Sequence, residues 1–346
     1  MWRDPGSAIL APMPPPDSSP DWRAGLAASP ELFPLTLDLA SDRVGLVRLS
    51  PVDYEKASFL DGRLQASLAA ELPFSELAQA AAESPLACDW IFHTGHVGST
   101  LLSRLLGGHP RVFSLREPQV LRTLAAAEAV ADDLDRRLGV FQRLFSRTWG
   151  PPKRALVKAT SLVTGLAPRL LGGNPDSRAL LMTVAPETYL ATIFSGANLG
   201  DVAQAAPLRL ARLNTRAGGA RWSLEALSPG ELAAMSWAAD MAVFADLARL
   251  APGRTLSLDF EAFLADPQAG LAAALAHLHG AADPAWAARL AASPYLQRYS
   301  KAPEYGYGPA LRRQVLAEAR ARAADEIARG MAWLRAAAPH LADIRP

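Results

Sequence analysis

One stretch limits what this chain can fold into more than any other: Cys88-Asp89-Trp90-Ile91-Phe92-His93-Thr94-Gly95-His96-Val97-Gly98-Ser99-Thr100-Leu101-Leu102-Ser103-Arg104-Leu105-Leu106. It reads as a short buried strand, a tight polar loop and the opening of a helix. Gly95 and Gly98 let the backbone turn sharply and approach a ligand closely. The N–H groups that open the helix have no partner within it, and with the helix dipole they favour an anion in the loop. Ser99 and Thr100 add hydroxyl donors and are expected to cap the helix. Leu101, Leu102, Leu105 and Leu106 fall on one face and anchor it to a sheet. Gly107, Gly108 and Pro110 end it. The arrangement suits a phosphate, but it is not the Walker kind, which needs Gly-Lys-Ser/Thr. Here Gly98-Ser99-Thr100 carries no lysine, which counts against an ordinary ATPase or kinase. A strand-turn-helix that binds nothing is the alternative.

The rest of the core alternates strand and helix. Ala155-Leu156-Val157-Lys158, Ala179-Leu180-Leu181-Met182-Thr183-Val184 and Thr255-Leu256-Ser257-Leu258 read as further strands, separated by alanine- and leucine-rich helices. One helix start is well marked: Ser228-Pro229-Gly230-Glu231 is a capping box with proline at the first helical position. Leu232, Met235, Ala239, Val243, Leu247 and Leu250 follow on one face. Such alternation predicts an α/β fold, a parallel sheet with helices on both faces, with ligands at the carboxyl ends of its strands.

The 346 residues allow one large domain or two small ones. Residues 1 to about 30 hold Pro5, Pro12, Pro14, Pro15, Pro16, Pro20 and Pro30, and read as a loose arm. Residues 31–87 form an accessory segment: two short strands around Ser41-Asp42, then a mixed helical stretch from Ser50 to about Ala82. It is expected to cover the sheet or shape a pocket. Residues 88–346 carry the α/β domain. Net charge is +1, with no basic run and no alternation of basic and aromatic residues, so nucleic acid is not an expected partner. Cys88 is the one cysteine, which excludes an internal disulfide framework and suits a buried thiol. No charge-free stretch of about 20 apolar residues is present, so no membrane span is expected. The N-terminus lacks a basic-then-apolar leader pattern, and the expectation is a cytoplasmic protein. His93 and His96 have no cysteine or carboxylate at ligand spacing, so no metal is expected.

The loop resembles that of sulfotransferases, in which a basic residue and a Ser-Gly-Thr-Thr-like run cradle the 5′-phosphosulfate of PAPS (3′-phosphoadenosine-5′-phosphosulfate). The likeness widens downstream. His109-Pro110 and then Leu115-Arg116-Glu117-Pro118 follow the helix. This is similar to the branch that includes tyrosylprotein sulfotransferases and many bacterial members, and the separation of Glu117 from His96 matches the family spacing. The resemblance implies a three-layer, helix-rich, P-loop-like α/β fold. It implies PAPS as donor substrate without a metal, and an acceptor that is a small molecule or peptide. Gly95, His96, Val97, Gly98, Ser99, Thr100 and Leu101 would hold the phosphosulfate. Glu117 would be the general base for the acceptor hydroxyl. Lys158 and His96 would steady the leaving group as charge gathers on its oxygen. Pairing of Glu117 with Arg116 or Arg122, and Lys158 reaching water at its strand end, are the plainer alternatives.

Two positions depart from the family. His96 stands where the family usually has arginine or lysine. Val184 stands where it has the arginine that grips the donor's 3′-phosphate, while Thr192 keeps a hydroxyl at the family's serine position. Replacement cations are sought in Arg298, Lys301, Arg312 and Arg313. Arg298-Tyr299-Ser300-Lys301-Ala302-Pro303 resembles the family's C-terminal Ser-Lys loop, which closes over the donor, and Tyr305-Gly306-Tyr307-Gly308 suggests a lid with stacking rings. Leu256 to Pro267 is similar to the family's strand and Asp-Pro element, where Asp266-Pro267 starts a helix. A non-catalytic nucleotide-binding module on the same fold and a nucleotide-dependent phosphoryl-transfer enzyme remain as other readings. The acceptor and the oligomeric state are not legible in the sequence.

Overall fold

The computed structural model describes residues 22–128, 132–150, 153–281, 283–302 and 304–341. Residues 1–21 of the proline-rich arm lie outside these; the remainder of the arm holds a helix, Trp22–Ala28. Two sheets follow. The first has three antiparallel strands, β1 (Leu32–Asp38), β2 (Arg43–Arg48) and β3 (Leu68–Pro73), in that order. The β1–β2 hairpin is the one the alternation predicts. β3 is a correction: Ser50 to Ala82 is not a continuous helical stretch but helix Pro51–Lys56, β3 and helix Phe74–Ala81. Leu-Ala-Ala-Glu-Leu has helical propensity, and pairing with β2 overrides it.

The second sheet has five parallel strands, β4 (Cys88–His93), β5 (Val112–Arg116), β6 (Arg154–Lys158), β7 (Ala179–Thr183) and β8 (Thr255–Asp259), in the order β5-β6-β4-β7-β8. Successive side chains of a strand point to opposite faces, and here each face has its own core. Trp90, Phe92, Ala155, Val157 and Leu181 join the core shared with the three-stranded sheet and helices Phe74–Ala81, Gln119–Ala126 and Leu134–Phe145. Ile91, Leu156, Leu180 and Met182 face helices Ser99–Gly107, Pro186–Phe194 and Pro229–Leu250. The capping box at Ser228 forms as expected. Of the face assigned to that helix, Leu250 is instead exposed at its last position.

The chain leaves β4 toward the second core and β6 toward the first, through helix Ala167–Gly172. β4 and β6 are neighbours with parallel registry from Cys88↔Ala155 to Ile91↔Lys158. Adjacent strands whose exits diverge open a crevice at their carboxyl ends, where open α/β sheets bind ligands.

Candidate active site

A cleft of about 960 Å³ opens at that crevice. Its floor is the loop after β4. Gly95 (φ +91°), His96 (φ +54°) and Gly98 (φ +71°) all have left-handed backbones. Gly98 is the N-cap of helix Ser99–Gly107 and offers no side chain, so Ser99 and Thr100 are not caps as expected but the first two helical residues. Among the described residues, the backbone N–H groups of residues 96–101 donate to no carbonyl or side chain. Thr100 Oγ1 is buried, lines the cleft and has no hydrogen-bond partner. Donors so arranged are what a phosphate-like anion requires, and the expected residues Gly95 to Leu101 all line the cleft. The loop is held from below by His93, whose Nδ1 accepts the Gly95 N–H at 3.0 Å while Nε2 donates to Ala159 O at 2.8 Å. Burial, with Lys158 nearby, holds the His93 imidazole well below its ordinary pKa, so the ring is a neutral strut.

Glu117 and Lys158 meet. β5 and β6 pair Arg116 with Lys158 across their ends, and the Glu117 N–H donates to Lys158 O at 2.7 Å. The Lys158 Nζ donates to Glu117 Oε1. Neither plainer alternative holds: Lys158 is 1 % exposed, and Glu117 pairs with neither Arg116 nor Arg122. Burial pushes the Lys158 pKa down, and the Glu117 carboxylate opposes that shift. Glu117 itself is held at φ +53°, an unusual backbone for a residue with a side chain. Its second oxygen, Oε2, has no hydrogen-bond partner among the described residues, and the side chain lines the cleft.

His96 also lines the cleft, with Nε2 3.2 Å from Asp201 Oδ2. Thr192 lines it too, with its hydroxyl donating to Thr188 O at 2.8 Å. Val184 is buried in the second core, away from the cleft. Arg298, Lys301 and Arg312 also line the cleft, with Tyr299 and Tyr307, whose rings stand edge to face at 5.6 Å. Arg312 is paired with Glu261 at 2.6 Å. Arg313 is exposed and outside the lining. Among the described residues no group of three His, Cys, Asp or Glu side chains gathers as a metal site would, and no helix is long and apolar enough to cross a membrane.

Four contributors escaped the sequence. Phe59 and Arg63 bring the accessory segment to the cleft wall, with the Arg63 guanidinium 3.5 Å from the Phe59 ring centre. Arg104, on the loop helix, donates to Ser300 O at 2.8 Å, Ser58 Oγ at 2.8 Å and Glu55 O at 3.2 Å. Ser58 in turn donates to Lys301 O at 2.8 Å. Arg104 thereby ties the accessory segment and the 298–302 turn to the helix that follows the loop after β4. Arg116 fixes Glu117 from the other side by donating to Ala57 O at 2.7 Å and Glu55 O at 3.0 Å; burial, with Arg104 beside it, lowers its pKa to about 9. The available signal was a charge among apolar residues, since Arg104 lies inside a leucine-rich buried helix and Arg116 ends the buried strand β5.

No family model and no curated protein matches the chain. Solved structures similar to it include the sulfotransferase domain from the curacin biosynthetic pathway, 14 % identical with a TM-score of 0.40, over 69 % of this chain and 97 % of that one. Sulfotransferase STF1 from Mycobacterium tuberculosis H37Rv is 16 % identical with a TM-score of 0.43, over 72 % and 81 %. A sulfotransferase from Alicyclobacillus acidocaldarius is 18 % identical with a TM-score of 0.34, over 70 % and 97 %.

Proposed function

We propose that this chain moves a sulfuryl group from PAPS to a hydroxyl or amine acceptor. The single observation that carries this reading is a juxtaposition: unspent backbone donors of residues 96–101 and the Glu117–Lys158 pair face one crevice. The loop amides and the Thr100 hydroxyl hold the 5′-phosphosulfate. Glu117 Oε2 takes the acceptor proton as the acceptor oxygen or nitrogen bonds to sulfur. The bond between sulfur and the 5′-phosphate oxygen breaks, and its electron pair stays on that oxygen. Lys158 and the amides meet the charge developing there. Lys158 serves both sides, because the ammonium has three donors and Glu117 Oε1 engages one. Tyr299 and Tyr307 flank the nucleotide base, and Lys301 with Arg298 supplies the 3′-phosphate with the cations that Val184 does not. The Arg104-anchored turn excludes water, which transfer without hydrolysis needs.

Glu117→Gln tests the assignment. Transfer from radiolabelled PAPS should fall by about 10²-fold or more, with affinity for 3′-phosphoadenosine-5′-phosphate (PAP) nearly unchanged. Unchanged turnover would remove Glu117 from this role. A second reading, a nucleotide-binding module without catalysis, is favoured by the buried Val184 in place of a phosphate-gripping arginine. PAP binding with no transfer to any hydroxyl or amine acceptor would select it.

A further inference from the structure

The accessory segment reaches the cleft through the end of a six-residue helix, Pro51–Lys56, whose last carbonyls need partners from outside it. Two buried arginines supply them. Arg116 donates to Tyr54 O, to Glu55 O at 3.0 Å and to Ala57 O at 2.7 Å. Arg104 donates to Glu55 O at 3.2 Å and to Lys56 O at 3.3 Å. Arg104 also donates to Ser58 Oγ at 2.8 Å and to Ser300 O at 2.8 Å. A guanidinium accepts nothing, so the Ser58 hydroxyl keeps its own hydrogen for another oxygen. That oxygen is Lys301 O, at 2.8 Å. Resting on the phosphosulfate reading of the cleft, we propose that Ser58 is a positioning residue: it holds Lys301 for the donor's 3′-phosphate, so the accessory segment sets the preference of the cleft for a 3′-phosphorylated nucleotide.

The surroundings fit this role. Two successive carbonyls of the turn, Ser300 and Lys301, are fixed, and with them the backbone from which the Lys301 side chain starts. A lysine side chain is long, and ordering it on a ligand costs affinity, a cost that a fixed backbone reduces. Lys301 lines the cleft and has no carboxylate within ion-pair distance among the described residues, so its ammonium is available to an anion. Ser58 is not part of the lining, so its effect on a ligand passes through its neighbours. Its own platform is firm. Two residues on, the Leu60 N–H donates to Arg116 O at 2.7 Å, and Leu60 O accepts the Gln119 N–H at 3.0 Å, on either side of Glu117.

The test is calorimetric titration of the full-length chain with PAP and with AMP, which lacks the 3′-phosphate. Ser58→Ala should weaken PAP binding about 5-fold, the size of one net hydrogen bond, and leave AMP affinity unchanged. In Lys301→Met, adding Ser58→Ala should cost no further PAP affinity, because the serine acts through the lysine. Where AMP binds too weakly to titrate, this second comparison decides. A role in folding alone would lower PAP and AMP affinity alike, or neither. Unchanged PAP affinity in Ser58→Ala, equal losses for PAP and AMP, or an undiminished loss in the Lys301→Met background would overturn the proposal. Failure of the wild type to bind PAP would overturn the phosphosulfate reading itself.

Discussion

Burial lowers the pKa of the Lys158 ammonium, and the Glu117 carboxylate paired with it opposes that shift. Each was visible in the sequence as a residue of interest, Lys158 because it ends an apolar strand and Glu117 by its spacing from the loop. Their pairing was not visible, because it depends on β5 lying beside β6 in a register that sets Arg116 against Lys158. The same limit applies to His96 and Asp201, which meet only through tertiary structure. Lys158→Ala should lower transfer by about 10²-fold or more, as loss of other transition-state donors does. It also strands a largely buried carboxylate, so urea unfolding should show a loss of about 3 kcal/mol. Wild-type turnover and stability in this variant would mean that neither residue needs the other.

At the scale of elements, the loop and its helix were the most legible part of the chain. Two glycines, an apolar strand before and a leucine face after leave few other folds, and the one error there, the cap, came from favouring hydroxyls over the left-handed Gly98. β5 escaped notice because Val-Phe-Ser-Leu-Arg mixes polar and apolar residues and lies close behind His109-Pro110. Gly98 is also a packing site: a Cβ there would lie 2.1 Å from the ring of Phe260, the first residue of helix Phe260–Ala265 after β8. Gly98→Ala should therefore displace the loop. The left-handed backbone costs a non-glycine residue ~1 kcal/mol, and the clash typically adds ~1–3 kcal/mol. Thermal unfolding should register that loss, and PAP affinity should fall by at least about 10-fold, since 1.4 kcal/mol of lost binding is tenfold. A variant as stable and as tight as wild type would show that the loop does not hold the ligand.

Across the whole molecule, two cores share one sheet, and segments from both ends of the chain close on the crevice between β4 and β6. The α/β class was legible from alternation alone. The strand order and the role of the accessory segment were not, because Ser58, Arg104 and Ser300 come from separate parts of the chain. Acid should loosen the whole assembly. Burial, with Arg111 nearby, lowers the His279 pKa from 6.5 to about 4. The unfolded chain therefore binds a proton there that the folded chain refuses, and stability falls as pH drops from 6.5 toward 4. Denaturation across that window should show a shallower fall for His279→Gln than for wild type; parallel curves would remove His279 from the acid response. Nucleotide affinity is the most direct measurement of all. Calorimetric titration at pH 7 with PAP, AMP and ATP–magnesium should give PAP the tightest binding, by about 10-fold or more over AMP, as a second charge-assisted phosphate contact implies. Equal affinity for PAP and AMP, a preference for ATP–magnesium, or no binding of PAP would contradict a phosphosulfate site.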